Sequence, residues 1–326
     1  SHHAIAANTN VQFLSHEVDC RRAAQCRMTS VEFEARIAAL WVFPIKSCAG
    51  ISVTQAVLTP TGLAHDRAWM VVDAEGEMVT QRELPRMALV QPELVHSGTG
   101  VTELVLHASG MPTLHLEPVN AQAASPQARP TTVRVWDDAV PAFDMGPAAS
   151  AWLTEFLGES LGPLRLVRFD ERHKRVASRK WTQGVEALNQ FSDGFPVLVA
   201  STASLDELNT RLAQQGMGAV DMRRFRANLV LSGVHAHDED RVGVMTLDTD
   251  TGPVQLHPVK PCPRCPIPNI DPDTGTSAPV VSDTLQRYRQ DARVNGAVTF
   301  GMNAIPLSGV GQTLRVGQVV SAPWSF

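Results

Sequence analysis

Short apolar runs of roughly four to eight residues, each closed by Gly, Pro, Asn or Asp, recur along the chain from residue 35 onward. Residues 35–47 predict a buried strand that breaks at Pro44 and ends in a polar tip, Lys46-Ser47, followed by Cys48. Residues 52–58 and 68–72 predict two more strands, with a turn between them that holds Gly62 and the trio His65-Asp66-Arg67. Asp73-Ala74-Glu75-Gly76 is a hairpin turn signal, and short runs continue at 103–107, 113–117 and 132–136. Regular short strands separated by turns predict a β-barrel or sandwich. Further strands are predicted at 164–169, 195–200, 229–232, 254–257, 300–307 and 314–320.

Helical spacing is rarer. It predicts a short helix at 151–157 ending near Gly158. A second helix opens on a Ser204/Glu207 capping box, carries Leu205, Leu208 and Leu212 on one face and closes at Gly216. A third is predicted at 283–293. Residues 170–190 are basic and irregular, which fits either a solvated loop or a loop that steers anions. Residues 122–130 read as a linker or long loop. The fold class is α+β, mainly β, with a few short helices.

Five of the 22 prolines fall between Pro261 and Pro272, around Cys262 and Cys265. Proline fixes φ and removes a backbone donor, so this run predicts a stiff loop following the 254–257 strand. A stiff loop that presents a thiol beside Arg264 suits a soft metal, because a cation favours the thiolate that ligates. A buried pair of small hydrophobes and a redox disulfide fit the same Cys-x-x-Cys. Other polar outposts stand at predicted strand ends: Lys46-Ser47, Arg67 and Arg226-Asn228. Brought together with Arg264-Cys265, they suit an anionic, phosphorylated, metal-bearing cofactor, the cations taking phosphate and the thiolate taking metal.

Composition narrows the class. At 326 residues the chain is long enough for two units, with a formal net charge of -5 and no Lys/Arg run to make a nucleic-acid surface. No apolar run reaches bilayer length. Five cysteines, two of them in a tight pair, do not form a secreted disulfide framework, so the expected compartment is reducing and cytoplasmic. Residues 1–34 read as a flexible extension without a signal peptide. Arg21, Arg22 and Arg27 hint at a transit peptide and Glu17 and Asp19 speak against one; Met28 is a candidate internal start, and Cys20 and Cys26 receive no function.

Four motifs then carry a resemblance: Trp41-Val42-Phe43-Pro44-Ile45-Lys46-Ser47-Cys48, Asp66-Arg67-Ala68-Trp69, Arg224-Phe225-Arg226-Ala227-Asn228-Leu229-Val230, and Cys262-Pro263-Arg264-Cys265 with Asp271-Pro272-Asp273-Thr274-Gly275. Their order resembles that of the MOSC proteins, in particular the amidoxime-reducing components and their bacterial relatives. The resemblance runs from about Ile37 to Val320. It implies a β-rich MOSC N-terminal region at 35–160 and a MOSC β-barrel domain at 161–322. It also implies a molybdenum cofactor of the molybdopterin type, with Cys265 as the thiolate ligand of the metal and Cys262 unbound. Lys46, Ser47, Arg67 and Arg226 then fall on pterin and phosphate positions, Asn228 belongs to the same motif, and Pro263 and Arg264 line the metal. Gly194-Phe195 and Asn303 depart from the family, which has small hydroxylated residues and a tyrosine there.

The activity so implied is reduction of N-hydroxylated compounds: amidoximes, hydroxylamines and hydroxylated nucleobases. Within these 326 residues there is no Gly-x-Gly-x-x-Gly, no lysine-bearing pyridoxal domain of the cofactor-sulfurase type and no ferredoxin-like cysteine cluster. Electrons are therefore expected from a separate electron-transfer protein or flavin reductase, and Arg172 to Lys180 is the candidate docking segment. Asp271 and Asp273 are candidate proton donors or plain turn formers. Two rivals stand beside this reading. One is a carrier of cofactor or sulfur without turnover. The other is a structural zinc site on the cysteine pair, to which His257 adds at most a third ligand.

Overall fold

The computed structural model describes residues 32–96, 102–116 and 129–325. The predicted extension up to residue 31 and the predicted linker up to residue 128 lie outside them. From Phe33 on, the chain is one compact unit.

Its centre is a closed barrel of 7 strands. In chain order these are β1 (Phe33–Val42), β2 (Val197–Ser201), β3 (Leu229–Ser232), β4 (Met245–Thr249), β5 (Gly252–Pro263), β6 (Ala297–Ser308) and β7 (Val319–Ala322). Around the barrel they run β2-β3-β1-β7-β4-β5-β6, and β6 closes onto β2 through Val197↔Ala304 and Val199↔Met302. All these pairings are antiparallel except β2 with β3. β1 begins two residues before the predicted run and alternates rather than being wholly buried: Phe33, Ala35 and Ile37 point into the barrel while Glu34 and Arg36 are exposed. A register shift between Ile37 and Ala39 then turns Ala39 and Trp41 toward the outer helices.

β5 corrects the loop expectation. Pro258, Pro261 and Pro263 all lie within the strand. Beyond Leu256 the strand leaves β4 and, among the described residues, pairs with β6 alone. Register shifts between Pro258 and Lys260 and between Pro261 and Pro263 interrupt that pairing. One-sided, bulged pairing is where a strand accepts residues without an N–H. The loop proper starts at Arg264.

Four α-helices occur among the described residues: α1 (Pro147–Leu157), α2 (Arg179–Thr182), α3 (Thr202–Ala213) and α4 (Val280–Gln286). α3 starts earlier than its sequence signal. Ser201 is the N-cap and its Oγ accepts from Ser204 N at 3.2 Å, so Ser204 lies inside the first turn and the predicted capping box does not form. The 283–293 helix is also corrected: after α4 the chain pairs Gln290 and Asp291 with Val298 and Ala297 of β6, and this sheet contact overrides helical propensity. The predicted 314–320 strand is two pieces, because Gly317 at φ 90 turns the chain between Thr313–Arg315 and β7.

α3 and α4 cover the barrel's outer side through Leu208, Leu212, Val281 and Leu285 against Phe225 and Phe300, whose rings stack 3.9 Å apart. Residues 69–169 build two further sheets. One has four strands and runs Trp69–Val72, Arg165–Phe169, Asp138–Asp144, Arg129–Val135. The other joins Gln91–His96, Thr102–His107 and Leu114–Leu116. α1 closes their core with Trp152, Leu153 and Phe156.

Candidate functional site

The segment after β1 is held against the segment that carries Arg67. Arg67 N donates to Phe43 O at 2.8 Å, Trp69 N to Pro44 O at 3.0 Å and Lys46 N to Trp69 O at 2.8 Å. Asp66, 4 % exposed, accepts from Phe43 N at 2.8 Å and from the Arg67 guanidinium at 2.6 Å. Three residues that border the site are left-handed without being glycine: Ser47 (φ 67), Arg67 (φ 49) and Arg226 (φ 60). Such backbone costs roughly 1–3 kcal/mol per residue and persists only where the surroundings over-determine it.

These residues border one cleft with about 990 Å³ of empty space, part of it open to solvent. The structure brings the predicted cofactor and metal residues to it: Lys46, Ser47, Arg67, Arg226, Asn228, Pro263, Arg264 and Cys265. Arg67 and Arg226 lie over the Phe43 ring at 4.5 and 4.4 Å, and Arg67 Nη2 donates to Arg226 O at 2.9 Å. Arg226 Nη1 donates to Cys48 O at 2.6 Å, while its Nη2 is buried without a partner. Burial and then the nearby Arg67 push the Arg226 pKa down to about 9. Burial also lowers the Lys46 pKa, although Asp193, 2.5 Å from its Nζ, pulls it back. The Asp193 side chain itself is 68 % exposed into the cleft. Asn228 is 1 % exposed and joins strands: its Oδ1 accepts from Leu198 N at 3.0 Å and its Nδ2 donates to Trp41 O at 3.2 Å.

The two cysteines differ. Arg264 Nη1 donates to Cys262 Sγ at 3.1 Å and Nη2 to Phe225 O at 3.0 Å, so the guanidinium expected beside Cys265 sits on Cys262. Cys48, Cys262 and Cys265 are all free thiols. No group of three or more His, Cys, Asp or Glu that could hold a metal occurs among the described residues, so these residues by themselves form no closed zinc site.

Other expected chemistry resolves elsewhere. Asp271 caps its own turn, accepting from Asp273 N and Thr274 N at 2.9 and 3.0 Å, and Asp273 binds Arg223 through both oxygens. Neither borders the Cys265 cleft: Asp271 is a turn former that also pairs with Arg224, and Asp273 is an ion-pair partner of Arg223. In the basic segment Arg172 pairs with Asp170 and Lys174 with Glu186. Arg175 is buried against Asp138 and the Gln190 and Ser192 carbonyls. Arg172, Lys174 and Arg175 are thus each paired with a carboxylate, while Arg179 and Lys180 have no ion pair among the described residues. Sequence reasoning missed Arg82, Asp193 and Lys260, which border the cleft. Only Lys260 left a signal, since two residues before Cys262 on an extended strand is the same face.

A buried arginine nitrogen without a partner, a surplus of cations and one cleft thiol without a hydrogen-bond partner fit a phosphorylated, anionic group that carries its own metal. Comparison with known proteins agrees. Residues 34–160 match the MOSC N-terminal beta barrel domain and residues 187–321 the MOSC domain. The mouse mitochondrial amidoxime-reducing component 1 is 34 % identical over 82 % of this chain and 76 % of its own length. The chain belongs to the MOSC family. Among other MOSC relatives, the human mitochondrial amidoxime reducing component 2 is 32 % identical over 82 % of this chain and 77 % of its own. The zebrafish molybdenum cofactor sulfurase is 31 % identical, with this chain spanning only 31 % of it. A molybdenum-cofactor-related role therefore belongs to the family. No helix among the described residues is long and apolar enough to cross a membrane.

Proposed function

We propose that this MOSC protein is a molybdenum-cofactor-dependent enzyme that reduces N-hydroxylated compounds, amidoximes and hydroxylamines first and hydroxylated nucleobases among them. The observation that carries the reading is the half-buried Arg226 side chain, one nitrogen of which is buried and unpartnered, in the same cleft as Cys265. Lys46, Ser47, Arg67 and Arg226 would hold the cofactor's phosphate and pterin, with Asn228 fixing the strands behind them. Cys265 would ligate the metal, with Pro263 and Arg264 beside it. When bound, the cofactor supplies two-electron chemistry at the metal. The protein's part is to neutralise the anion, orient the thiolate and leave one side of the cleft open to substrate.

For an amidoxime the balance is R–C(NH2)=NOH + 2 H⁺ + 2 e⁻ → R–C(NH2)=NH + H2O, with the electrons from a separate reductase. The reducing compartment read from the free cysteines, the cytoplasm, belongs to the same proposal. Protein purified with its molybdenum should reduce benzamidoxime with reduced viologen and stay silent with NADH or NADPH until a reductase is added. A cofactor carrier would bind molybdenum yet leave benzamidoxime untouched, and that result would end the enzyme reading.

A further inference from the structure

Six cations border the cleft, Lys46, Arg67, Arg82, Arg226, Lys260 and Arg264, against a single carboxylate, Asp193. Four of them are held by groups of the site itself. Lys46 has Asp193, Arg67 has Asp66, Arg226 has Cys48 O, and Arg264 has Cys262 and Phe225 O. Arg82 lies on Thr80 Oγ1 and the Trp136 ring. Lys260 is different. Among the described residues it has no carboxylate, carbonyl or hydroxyl partner, and its Nζ faces two aromatic rings, Trp181 at 5.4 Å and Phe195 at 5.7 Å. The Trp181 ring also takes Lys180 Nζ, at 5.7 Å.

Aromatic faces attract an ammonium, but they leave its N–H donors without acceptors. The rings therefore hold Lys260 on the cleft wall with its hydrogen-bonding capacity free. Its position on β5, five residues before Cys265 and bordering the same cleft, puts that free cation beside the reacting centre rather than on a remote surface. Phe195 stands where the resemblance expects a small hydroxylated residue, so the aromatic side of this clamp departs from the family pattern.

We propose that Lys260, clamped by Phe195 and Trp181, is a substrate anion subsite, and that the enzyme prefers N-hydroxylated compounds bearing a carboxylate or phosphate over neutral ones of the same shape. This rests on the reading that the cleft reduces N-hydroxylated compounds. Lys260 is a specificity residue, binding the part of the substrate that does not react. A partly buried ammonium attracts an anion more strongly than an exposed one, and salt screens the attraction only in part.

The test compares benzamidoximes carrying a carboxylate, at the meta and the para position, with the matching carboxamides. With the molybdenum-loaded enzyme and viologen, KM for the better carboxylate should be roughly tenfold lower than for its carboxamide, a gap equal to one ion pair of about 1.4 kcal/mol. Lys260→Met should bring that ratio to near one, and Lys260→Arg should restore most of it. Equal KM values for carboxylate and carboxamide in the unmodified enzyme would overturn the proposal, as would loss of molybdenum and pterin from Lys260→Met, which would assign Lys260 to the cofactor. Fluorescence titration of the oxidised, loaded enzyme keeps the two readings apart. If neither amidoxime is reduced, the proposed activity fails, and a tighter titration with the carboxylate that Lys260→Met abolishes still supports the subsite.

Discussion

Cys262 packs partly against the cluster around Phe225 and Phe300 and takes a guanidinium hydrogen bond from Arg264. Cys265 lies just past the end of β5, borders the cleft and, among the described residues, has no hydrogen-bond partner. Cys265 is free at the cleft edge and can meet a metal without rearrangement, whereas Cys262 would first have to leave its apolar packing and its Arg264 partner. Cys265→Ala should remove activity and most of the bound molybdenum. Cys262→Ala should keep the larger part of both. Metal analysis with the viologen assay checks this, and equal losses would favour a chemistry that needs both sulfurs. Cys48 takes no part: burial pushes its pKa up to about 12, so it stays a thiol.

Elements tell where sequence signals hold and where tertiary contacts override them. The Lys46-Ser47, Arg67, Arg226-Asn228 and Arg264-Cys265 outposts were legible because each ends a strand, and a closed barrel gathers strand ends. The barrel was expected from the short strands and the resemblance, but its strand order was not legible, since β2 pairs in parallel with β3 and antiparallel with β6, about a hundred residues away. The start of α3 shows the same limit. Ser204 is taken up by Glu239, whose carboxylate accepts from Ser204 Oγ at 2.6 Å and Ser201 Oγ at 2.9 Å, and no local pattern announces a partner so far along the chain. Burial pushes the Glu239 pKa from 4.5 up to about 7, against the pull of those hydroxyls. The folded protein thus holds this proton more tightly than the unfolded chain. Glu239 contributes most below about pH 4.5, and its contribution is lost as pH rises through about 7. His237, driven down to about 4 mainly by burial, works in the opposite direction below its ordinary 6.5, so wild type alone gives a mixed curve. Glu239→Gln should isolate the carboxylate: at pH 8 the variant should be more stable by on the order of 2–3 kcal/mol, the difference fading toward pH 5. Denaturant unfolding at both pH values measures it, and a variant less stable at pH 8 would mean the charged form is accommodated.

At the scale of the whole molecule, a protein of net charge -5 concentrates positive charge at one seam. The seam joins residues 43–82 to residues 191–303 through Lys46 with Asp193, Arg67 with Arg226 O and Arg226 with Cys48 O. Burial lowers the pKa of Lys46, against the pull of Asp193, and burial and then Arg67 lower that of Arg226, so both cations are held at a cost that a bound anion would offset. An anion that enters should therefore stabilise the entire fold, because folding and binding share one equilibrium and the unfolded chain offers no such site. Cofactor-free protein should melt in a single transition, since residues from Phe33 on form one compact unit. Inorganic phosphate should raise that midpoint in a saturable way, by roughly 2.7 kcal/mol of stability at a hundred times its dissociation constant. Arg226→Lys tests the geometry separately from the charge. A single ammonium cannot hold Cys48 O and still offer a planar fork to phosphate, so the phosphate shift should shrink and molybdenum occupancy should fall with it. Sulfate at equal ionic strength should behave like phosphate, and chloride should not. A phosphate shift of full size in Arg226→Lys, or one matched by chloride, would place the anion somewhere other than this seam.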